Sequence, residues 1–240
     1  MMRIDKYLTE AGLCSRSEAT RACRAGQVKL GGTPVRDPSV HIDPETAAVT
    51  FRGEEVVWRR FTYIMLNKPE GYLSVTDDPK QKTVLDLLDE RTRRLGLFPC
   101  GRLDRSTVGL LILTNNGAAA HALLSPRHHA EKEYRFTVKF PLSDADIAAL
   151  EAGIDLEADS VSEAFHTAPC TIRRTDDRSG TIVLTEGKYH QIKRMMEAVH
   201  NQITSLERIS FASIALDPAL GRGEWRHLTA EEQAIFEKQF

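Results

Sequence analysis

The sequence predicts an α+β protein of two domains, residues 1–58 and 59–240, on the strength of three observations. A length of 240 residues accommodates one large domain or two smaller ones. Helical and strand patterns are interspersed without regular alternation after residue 60, which favours a mixed sheet over a parallel doubly wound one. The boundary is marked by Trp58-Arg59-Arg60, which precedes an apolar run typical of a strand.

The first domain is predicted to contain two helices and a hairpin. Apolar residues recur at helical spacing within residues 4–11, which predicts a short helix. Ser15 followed three positions later by Glu18 is a capping-box pattern, and it predicts a second helix that runs to about Ala25. Residues 27–35 contain a Gly-Gly pair between two short apolar runs, which predicts a β-hairpin.

The second domain is predicted to contain several strands and helices of ordinary length. Apolar and β-branched runs indicate the strands, whereas amphipathic stretches indicate the helices. The predicted strands are residues 61–66, 110–114, 134–140, 160–168 and 181–185, and the predicted helices are residues 84–95, 118–124, 144–152 and 191–199.

The composition is that of a globular protein, and it excludes several classes. Hydrophobic residues make up 41% and charged residues 28% of the chain, close to the average for folded domains. No apolar run approaches the ~20 residues that a membrane-spanning helix needs, and the first residues lack the apolar core of a secretion signal. Four scattered cysteines without a C-x-x-C pair are typical of reduced thiols. We therefore expect a cytoplasmic protein without a membrane partner.

The net charge of −2 is a cancellation between regions. Residues 1–36 hold seven basic and three acidic side chains, whereas residues 141–180 hold nine acidic and three basic ones. The near-neutral total argues mildly against a nucleic-acid partner. The basic first segment nevertheless offers a surface for phosphate groups. Any small surface helix carries arginines, however, so the charge distribution alone leaves an anionic partner and a solvated face as competing interpretations.

Several common catalytic motifs are missing from the sequence. It contains no G-x-x-x-x-G-K-[ST] phosphate loop, no G-x-G-x-x-G dinucleotide fingerprint, no H-E-x-x-H and no G-x-S-x-G. His121, His128, His129 and His190 have no carboxylate or thiol at ligand spacing around them, so solvated or RNA-facing histidines are expected. We therefore predict neither a metal site nor a cofactor.

Asp104 is the strongest candidate for a reactive group. It is a lone acid among basic and small residues, and it precedes Gly109 and an apolar strand. Such a carboxylate can stand in a cleft, ionised by cationic neighbours. The competing interpretation of the same residues is an Asx turn, in which the side chain bonds nearby backbone N–H groups.

Five ordered segments carry a family resemblance over nearly the whole chain. Residues 101–114, Gly-Arg-Leu-Asp followed by Gly-Leu-Leu-Ile-Leu-Thr, resemble the signature of RNA pseudouridine synthases. Residues 63–71 resemble the opening strand and turn of that family, residues 125–134 its tyrosine motif and residues 187–196 its basic motif. Residues 1–60 resemble the S4-type RNA-binding module. Together these segments look like the branch of the family that modifies ribosomal RNA, which implies a mainly antiparallel mixed sheet flanked by helices.

Finer details of the motifs point to one substrate without deciding it. Residues 125–129 and Thr76-Asp77-Asp78-Pro79 look most like the members that act on small-subunit (16S) rRNA, and large-subunit (23S) members are the close competitor. Two functions of different classes compete with both: a non-catalytic RNA-binding or ribosome-assembly protein, and a carboxylate-based nucleosidase. One departure is Ser106, which stands where the family often has an acidic or amide residue.

The resemblance implies roles for particular residues. Asp104 would be the catalytic nucleophile, Lys193 its cationic partner and Tyr134 a ring that stacks on the target base. The uridine would be flipped out of its RNA stack, and no cofactor or metal is required. Tyr63 and Tyr72 have weaker claims, and Ile192 would pack beneath the pocket. The predicted RNA-binding residues are Arg3, Lys6, Arg16, Arg21, Arg24, Lys29, Arg102, Arg127, His128 and Lys132, with His129 beside them. The expected partner is ribosomal RNA in small-subunit assembly particles, bound by a monomer.

Overall fold

The protein folds into two compact units. The structure, a computed structural model, describes residues 1–125, 130–158 and 160–238. The first unit contains residues 1–62 together with residues 88–98. The second unit contains residues 63–87 and the described residues from 99 onward. Helices and strands are mixed in both units, so the predicted α+β class is confirmed. None of the described helices combines the length and apolar character needed to cross a bilayer.

The first unit contains the predicted helix pair and hairpin. Ser15 caps the second helix reciprocally with Glu18: Glu18 N–H donates to Ser15 Oγ at 3.3 Å, and Ser15 N–H donates to Glu18 Oε2 at 2.8 Å. The turn of the hairpin has two glycines with positive φ. The elements are β1 (Met2–Arg3), α1 (Ile4–Glu10), α2 (Arg16–Arg24), β2 (Val28–Leu30), β3 (Thr33–Pro34), β4 (His41–Ile42), β5 (Val49–Phe51), β6 (Glu54–Glu55) and α3 (Glu90–Arg93).

One predicted helix, residues 84–95, is wrong because the segment is divided between the two units. Val84–Leu87 forms a short 3₁₀ helix in the second unit, whereas α3 belongs to the first. Asp89 interrupts the helical run, since its side chain accepts the Thr92 N–H at 3.0 Å and so begins a new helix.

The second unit is built on one large sheet. The elements of this unit are β7 (Tyr63–Lys68), β8 (Phe98–Cys100), β9 (Val108–Thr114), α4 (Gly117–Leu124), β10 (Lys132–Val138), α5 (Asp144–Ala152), β11 (Asp155–Leu156), β12 (Phe165–His166), β13 (Thr171–Arg174), β14 (Ser179–Leu184), α6 (Gln191–Ala198), β15 (Ile203–Phe211), β16 (Ile214–Ala215), β17 (Trp225–His227) and α7 (Ala230–Lys238). The strand order of the sheet is β13-β14-β10-β15-β9-β7-β17, and all neighbours on this path are antiparallel except the parallel pair β15 and β9. This agrees with the predicted mainly antiparallel mixed sheet.

The predicted strand at residues 160–168 is wrong. Only β12 is extended there, and it pairs with β11 in a separate two-stranded ribbon. The segment has too few apolar side chains to cover a sheet face, and Val161 is 66% exposed. Without a buried face, nothing holds such a segment in the large sheet.

The parallel contact between β9 and β15 depends on a glycine. Gly109 is paired with Arg208, and a Cβ at this position would lie 2.3 Å from the Arg208 carbonyl oxygen. Its φ of 98° is also unfavourable for other residues. Gly109 therefore allows the close approach that brings Arg208 beside the strand following Asp104.

Candidate active site

Asp104 lies between β8 and β9, and its carboxylate is paired with a lysine from α6. Lys193 Nζ donates to Asp104 Oδ2 at 2.7 Å and to Ser106 Oγ at 3.0 Å. Both partners of the ion pair are only partly exposed, 23% for the Lys193 side chain and 27% for that of Asp104. A short bond between ionised partners in such a setting is strong and directional. The Asp104 side chain is thus held by a cation from a distant part of the chain.

His190 is a further group at this carboxylate. Its Nε2 atom lies 3.6 Å from Asp104 Oδ1, and its ring stacks on Tyr189 with centroids 3.9 Å apart. His190 precedes α6 with a left-handed backbone, φ 50° and ψ 26°. That conformation costs a non-glycine residue of the order of 1–3 kcal/mol and is concentrated at functional sites. The strained residue therefore directs an imidazole at the carboxylate.

Lys68, the last residue of β7, anchors the backbone around Asp104. Its side chain is fully buried, and Nζ donates to the carbonyl oxygens of Asp104, Arg105 and Thr107 at 3.1, 3.3 and 2.9 Å. A fourth bond reaches the Pro69 carbonyl oxygen at 3.1 Å. Burial lowers the pKa of Lys68 to about 8. A single ammonium group thus fixes the path of the loop that carries the carboxylate.

Tyr134 lies on β10 and faces the same cavity as Asp104. It is directly paired with Arg208 of β15, beside a register shift between Glu133 and Tyr134. Bulges of this kind turn side chains toward active sites. Lys132, two residues before Tyr134, points to the same face because strand side chains alternate.

Asp104, Lys132, Tyr134, His190 and Lys193 line one cavity of about 440 Å³. That volume is within the range of sites for small molecules, roughly 300–1,000 Å³. Polar groups stand beside an apolar wall that includes Ile192, the residue predicted to pack beneath the pocket. The ionisable residues of the lining are Arg102, Asp104, Lys132, Tyr134, Glu186, Lys188, His190, Lys193 and Arg208. The cavity therefore combines one carboxylate–lysine pair, a tyrosine and several cations around a space fit for a nucleoside-sized ligand.

Comparison with known proteins assigns the chain to a family. The model described as RNA pseudouridylate synthase matches residues 62–198, more than half of the chain. The chain belongs to the RNA pseudouridylate synthase family. A second model, the S4 domain, matches residues 2–47. The prediction of an RNA pseudouridine synthase that carries an S4 module is therefore confirmed.

Relatives of this pseudouridine synthase match over nearly its whole length. It is 45% identical to the uncharacterized RNA pseudouridine synthase YtzG of Bacillus subtilis (strain 168), over 96% of each chain. It is 39% identical to ribosomal small subunit pseudouridine synthase A of Yersinia pestis, over 97% of each chain. The protein with that name in Escherichia coli (strain K12) is 37% identical, over 97% of this chain and 99% of its own. A crystal structure of a pseudouridylate synthase superposes with a TM-score of 0.68 at 35% identity, over 100% of both chains.

The other predicted site residues of this synthase are distributed over both units. Arg102 is exposed at the cavity, whereas Lys132 is largely covered within it. Tyr63 is buried in the core, where its hydroxyl accepts a bond from Asn116 Nδ2 at 2.8 Å, and Tyr72 does not line the cavity. Arg127, His128 and His129 lie outside the described residues. In the first unit, Lys6, Arg16, Arg21, Arg24 and Lys29 are exposed, and Arg3 is paired with Asp5 at 2.7 Å.

Four groups at the site were not predicted from the sequence. The sequence places Lys68 in a segment that resembles a strand and turn, predicts that His190 faces solvent or RNA, and predicts no role for Arg208. Ser106 appeared only as a departure from the family pattern, yet it accepts a bond from Lys193. Lys68, Ser106 and His190 lie inside the segments that carry the family resemblance, whereas Arg208 lies outside them.

Lys68→Met is expected to lower both stability and activity. Methionine retains the length of the side chain but removes one donor from each of the four carbonyl oxygens, of which those of Asp104 and Arg105 keep bonds from the Thr107 and Gly71 N–H groups. The lost bonds cost about 1–3 kcal/mol of unfolding free energy. A displacement of the Asp104 loop by about 1 Å lowers the rate roughly 10²-fold. Thermal melting and turnover per folded molecule measure the two effects, with exposed Lys82→Met as the matched control. Wild-type turnover in the Lys68 variant would show that the loop holds its position without this anchor.

Proposed function

We propose that this pseudouridine synthase converts one uridine of 16S rRNA to pseudouridine, with Asp104 acting on the ribose of a flipped-out nucleotide. The observation that carries the proposal is the Asp104–Lys193 pair, held in a cavity sized for a nucleoside. The names of the full-length relatives from Yersinia pestis and Escherichia coli support the choice of small-subunit RNA.

The reaction rearranges one nucleotide without a net change in its atoms. The bond from ribose C1′ to uracil N1 breaks, the ring turns, and C5 bonds to C1′. Asp104 acts either by attack on C1′ or by removal of the C2′ proton, and both routes release the ring with the electron pair of the broken bond. On the first route the bond between Asp104 and C1′ breaks as C5 attacks C1′, and on the second route Asp104 returns the proton to C2′ as C5 adds. The C5 proton is lost after rejoining, and N1 gains a proton. The steps thus need positioned acid–base groups.

The other residues of the cavity orient the Asp104 carboxylate and bind the substrate nucleotide. Lys193 orients the Asp104 carboxylate through its 2.7 Å bond. Tyr134 stacks on the uracil ring and brings its hydroxyl near the sugar. Arg102 at the open side of the cavity contacts the displaced RNA backbone. Flipping costs about a few kcal/mol, and less where the uridine already lies in a loop.

The first unit supplies a second RNA contact besides the catalytic cavity. Its S4 domain presents exposed basic residues on and beside α2, including Arg21 and Arg24. Phosphate contacts of this kind position a protein without reading sequence. Two weak RNA sites on one chain raise the effective concentration of the second site. The substrate is a small-subunit assembly particle in the cytoplasm, and the enzyme acts on it as a monomer.

Release of tritium from C5 tests the substrate. Transcripts and partly assembled particles that carry [5-³H]uridine are incubated with the protein, and label enters water only when C5 is rejoined. We expect up to one equivalent of tritium from 16S RNA and none from 23S RNA. Release of tritium from 23S RNA alone would show that the modified uridine lies in the large-subunit RNA. Binding without release from any rRNA would support a non-catalytic assembly protein instead.

A further inference from the structure

Two cations lie inside the cavity and have no part in the steps described above. Lys132 and Arg208 both line it, and Arg208 is 99% buried. Arg208 Nε donates to the Leu110 carbonyl oxygen at 2.7 Å, and Lys132 Nζ donates to that of Ala130 at 2.8 Å. Among the described residues, neither cation forms an ion pair, and Arg208 Nη2 is buried without a hydrogen-bond partner. Such uncompensated buried charge is costly unless a ligand supplies the opposite charge.

The fold places the two charges together. Lys132 of β10 is paired with Phe211 of β15, and the same Phe211 ring lies 5.7 Å from Lys132 Nζ and 4.9 Å from Arg208 Cζ. Tyr134, the residue predicted to stack on the base, is directly paired with Arg208. The two cations therefore adjoin the predicted position of the uracil ring.

The groups around these cations do not neutralise them. Burial and the nearby Arg208 charge lower the pKa of Lys132 to about 8, which still leaves most of it protonated at neutral pH. Burial raises the pKa of the adjacent Cys100 thiol to about 12, so this group stays uncharged. The charge of the Glu186 carboxylate acts on Lys132, and its Oε1 atom accepts bonds from Ala168 N–H and Gln191 Nε2. The lining nevertheless holds five lysines and arginines against the two carboxylates of Asp104 and Glu186. An excess of positive charge remains.

Solvent exposure distinguishes Lys132 and Arg208 from the cations of the cavity that suit RNA phosphates. Arg102 and Lys188 also line the cavity, but both are exposed to solvent. A phosphate keeps much of its hydration and fits such an exposed position, whereas a flipped base enters the enclosed part. After the C1′–N1 bond breaks, the electron pair on the uracil ring is delocalised onto O2 and O4. Lys132 and Arg208 carry the positive charge that stabilises this negative charge in the enclosed part of the cavity.

We propose that Lys132 and Arg208 bind the carbonyl oxygens of the flipped uracil ring and stabilise its negative charge after C1′–N1 cleavage, an inference that rests on the proposed function. The pair of electrons stays on the ring until C5 bonds to C1′. Preorganised donors aimed at developing charge are worth about 10²–10³ in rate. Lys132 and Arg208 thus act on the leaving group, whereas Asp104 acts on the sugar.

The test compares two leaving groups in single-turnover reactions. The target position of the RNA carries uridine or 5-fluorouridine, and nuclease digestion with chromatography follows loss of the starting nucleoside. Fluorine at C5 withdraws electrons, so the fluorinated ring holds negative charge with less help from the protein. We expect Lys132→Met to lower the rate about 10²-fold with uridine and markedly less with 5-fluorouridine, while RNA affinity stays within about twofold of wild type.

Matched variants keep the outcome interpretable. Arg135→Met on the opposite face of β10 removes an exposed cation paired with Glu207 and should leave the rate unchanged. Arg208→Met should reproduce the pattern of Lys132→Met, and Arg208→Lys should restore part of the rate; melting curves show whether these buried variants fold. If the Arg208→Met variant does not fold, the rates of the Lys132→Met variant alone test the inference.

Different failures lead to different conclusions. If Lys132→Met lowers the rate equally with uridine and 5-fluorouridine, Lys132 only positions Tyr134 and the inference is wrong. An unchanged rate, or a loss of RNA affinity without a loss of rate, would also overturn the inference. If the wild-type protein converts no uridine in any rRNA, the proposed function and this inference fall together. If the wild type is active and Lys132→Met matches it, only the inference fails.

Discussion

Asp104→Asn is expected to abolish tritium release while RNA binding is retained. Asparagine has the same shape but cannot attack C1′ as a carboxylate or take a proton from C2′. Loss of a group that acts directly on the reacting atoms lowers the rate by roughly 10⁴-fold or more. Because Lys193 and Lys68 are unchanged and Asp104 is 27% exposed, the fold should remain intact.

The control for this variant is another carboxylate on the second unit. Asp155 is exposed and paired with His166 in the small ribbon formed by β11 and β12, away from the cavity lining. Asp155→Asn should release tritium at the wild-type rate. Single-turnover assays at saturating protein compare the two variants. Full activity in Asp104→Asn would remove Asp104 from the chemistry.

Lys193→Met is expected to lower the rate constant about 10²-fold with little change in RNA affinity. The substitution removes the 2.7 Å bond to Asp104 and the 3.0 Å bond to Ser106. A hydrogen bond to a charged group contributes about 1.5–3 kcal/mol, which corresponds to the expected loss. Lys193→Arg keeps the positive charge and should recover part of the rate.

Lys139→Met is the matched control for Lys193→Met, since Lys139 is an exposed lysine just after β10 that does not line the cavity. The rate constant and the dissociation constant for RNA are measured separately for each variant. If Lys193→Met turned over at the wild-type rate, the ion pair with Asp104 would have no role in catalysis. A weakened affinity with an unchanged rate constant would make Lys193 an RNA-binding residue.

Local patterns predicted five helices, α1, α2, α4, α5 and α6, but only a minority of the strands among the described residues. The central strand β15 and the last helix α7 were not predicted. The capping box at Ser15 and Glu18 and the helix at Asp144–Ala152 depend on residues a few positions apart, and such signals are visible in one sequence. The two wrong elements had weaker local determinants. Asp89 begins a new helix inside an amphipathic run, and residues 160–168 lack an apolar face.

The site was predicted only where a motif marked it. Asp104, Tyr134 and Lys193 lie within family motifs, and the structure brings all three to one cavity. Lys68 reaches the Asp104 loop because β7 pairs with β9, and Arg208 reaches Tyr134 because β15 pairs with β10. Strand pairing between residues far apart in sequence determines these contacts, so no local pattern reveals them.

We propose above that this chain isomerises a uridine of 16S rRNA. The most direct measurement maps pseudouridines in 16S and 23S rRNA from cells with and without this gene, by carbodiimide modification and reverse transcription. We predict that deletion removes one pseudouridine from 16S rRNA, that the wild-type gene restores it and that the Asp104→Asn gene does not. An unchanged 16S map, or a pseudouridine lost from 23S rRNA instead, would contradict the account.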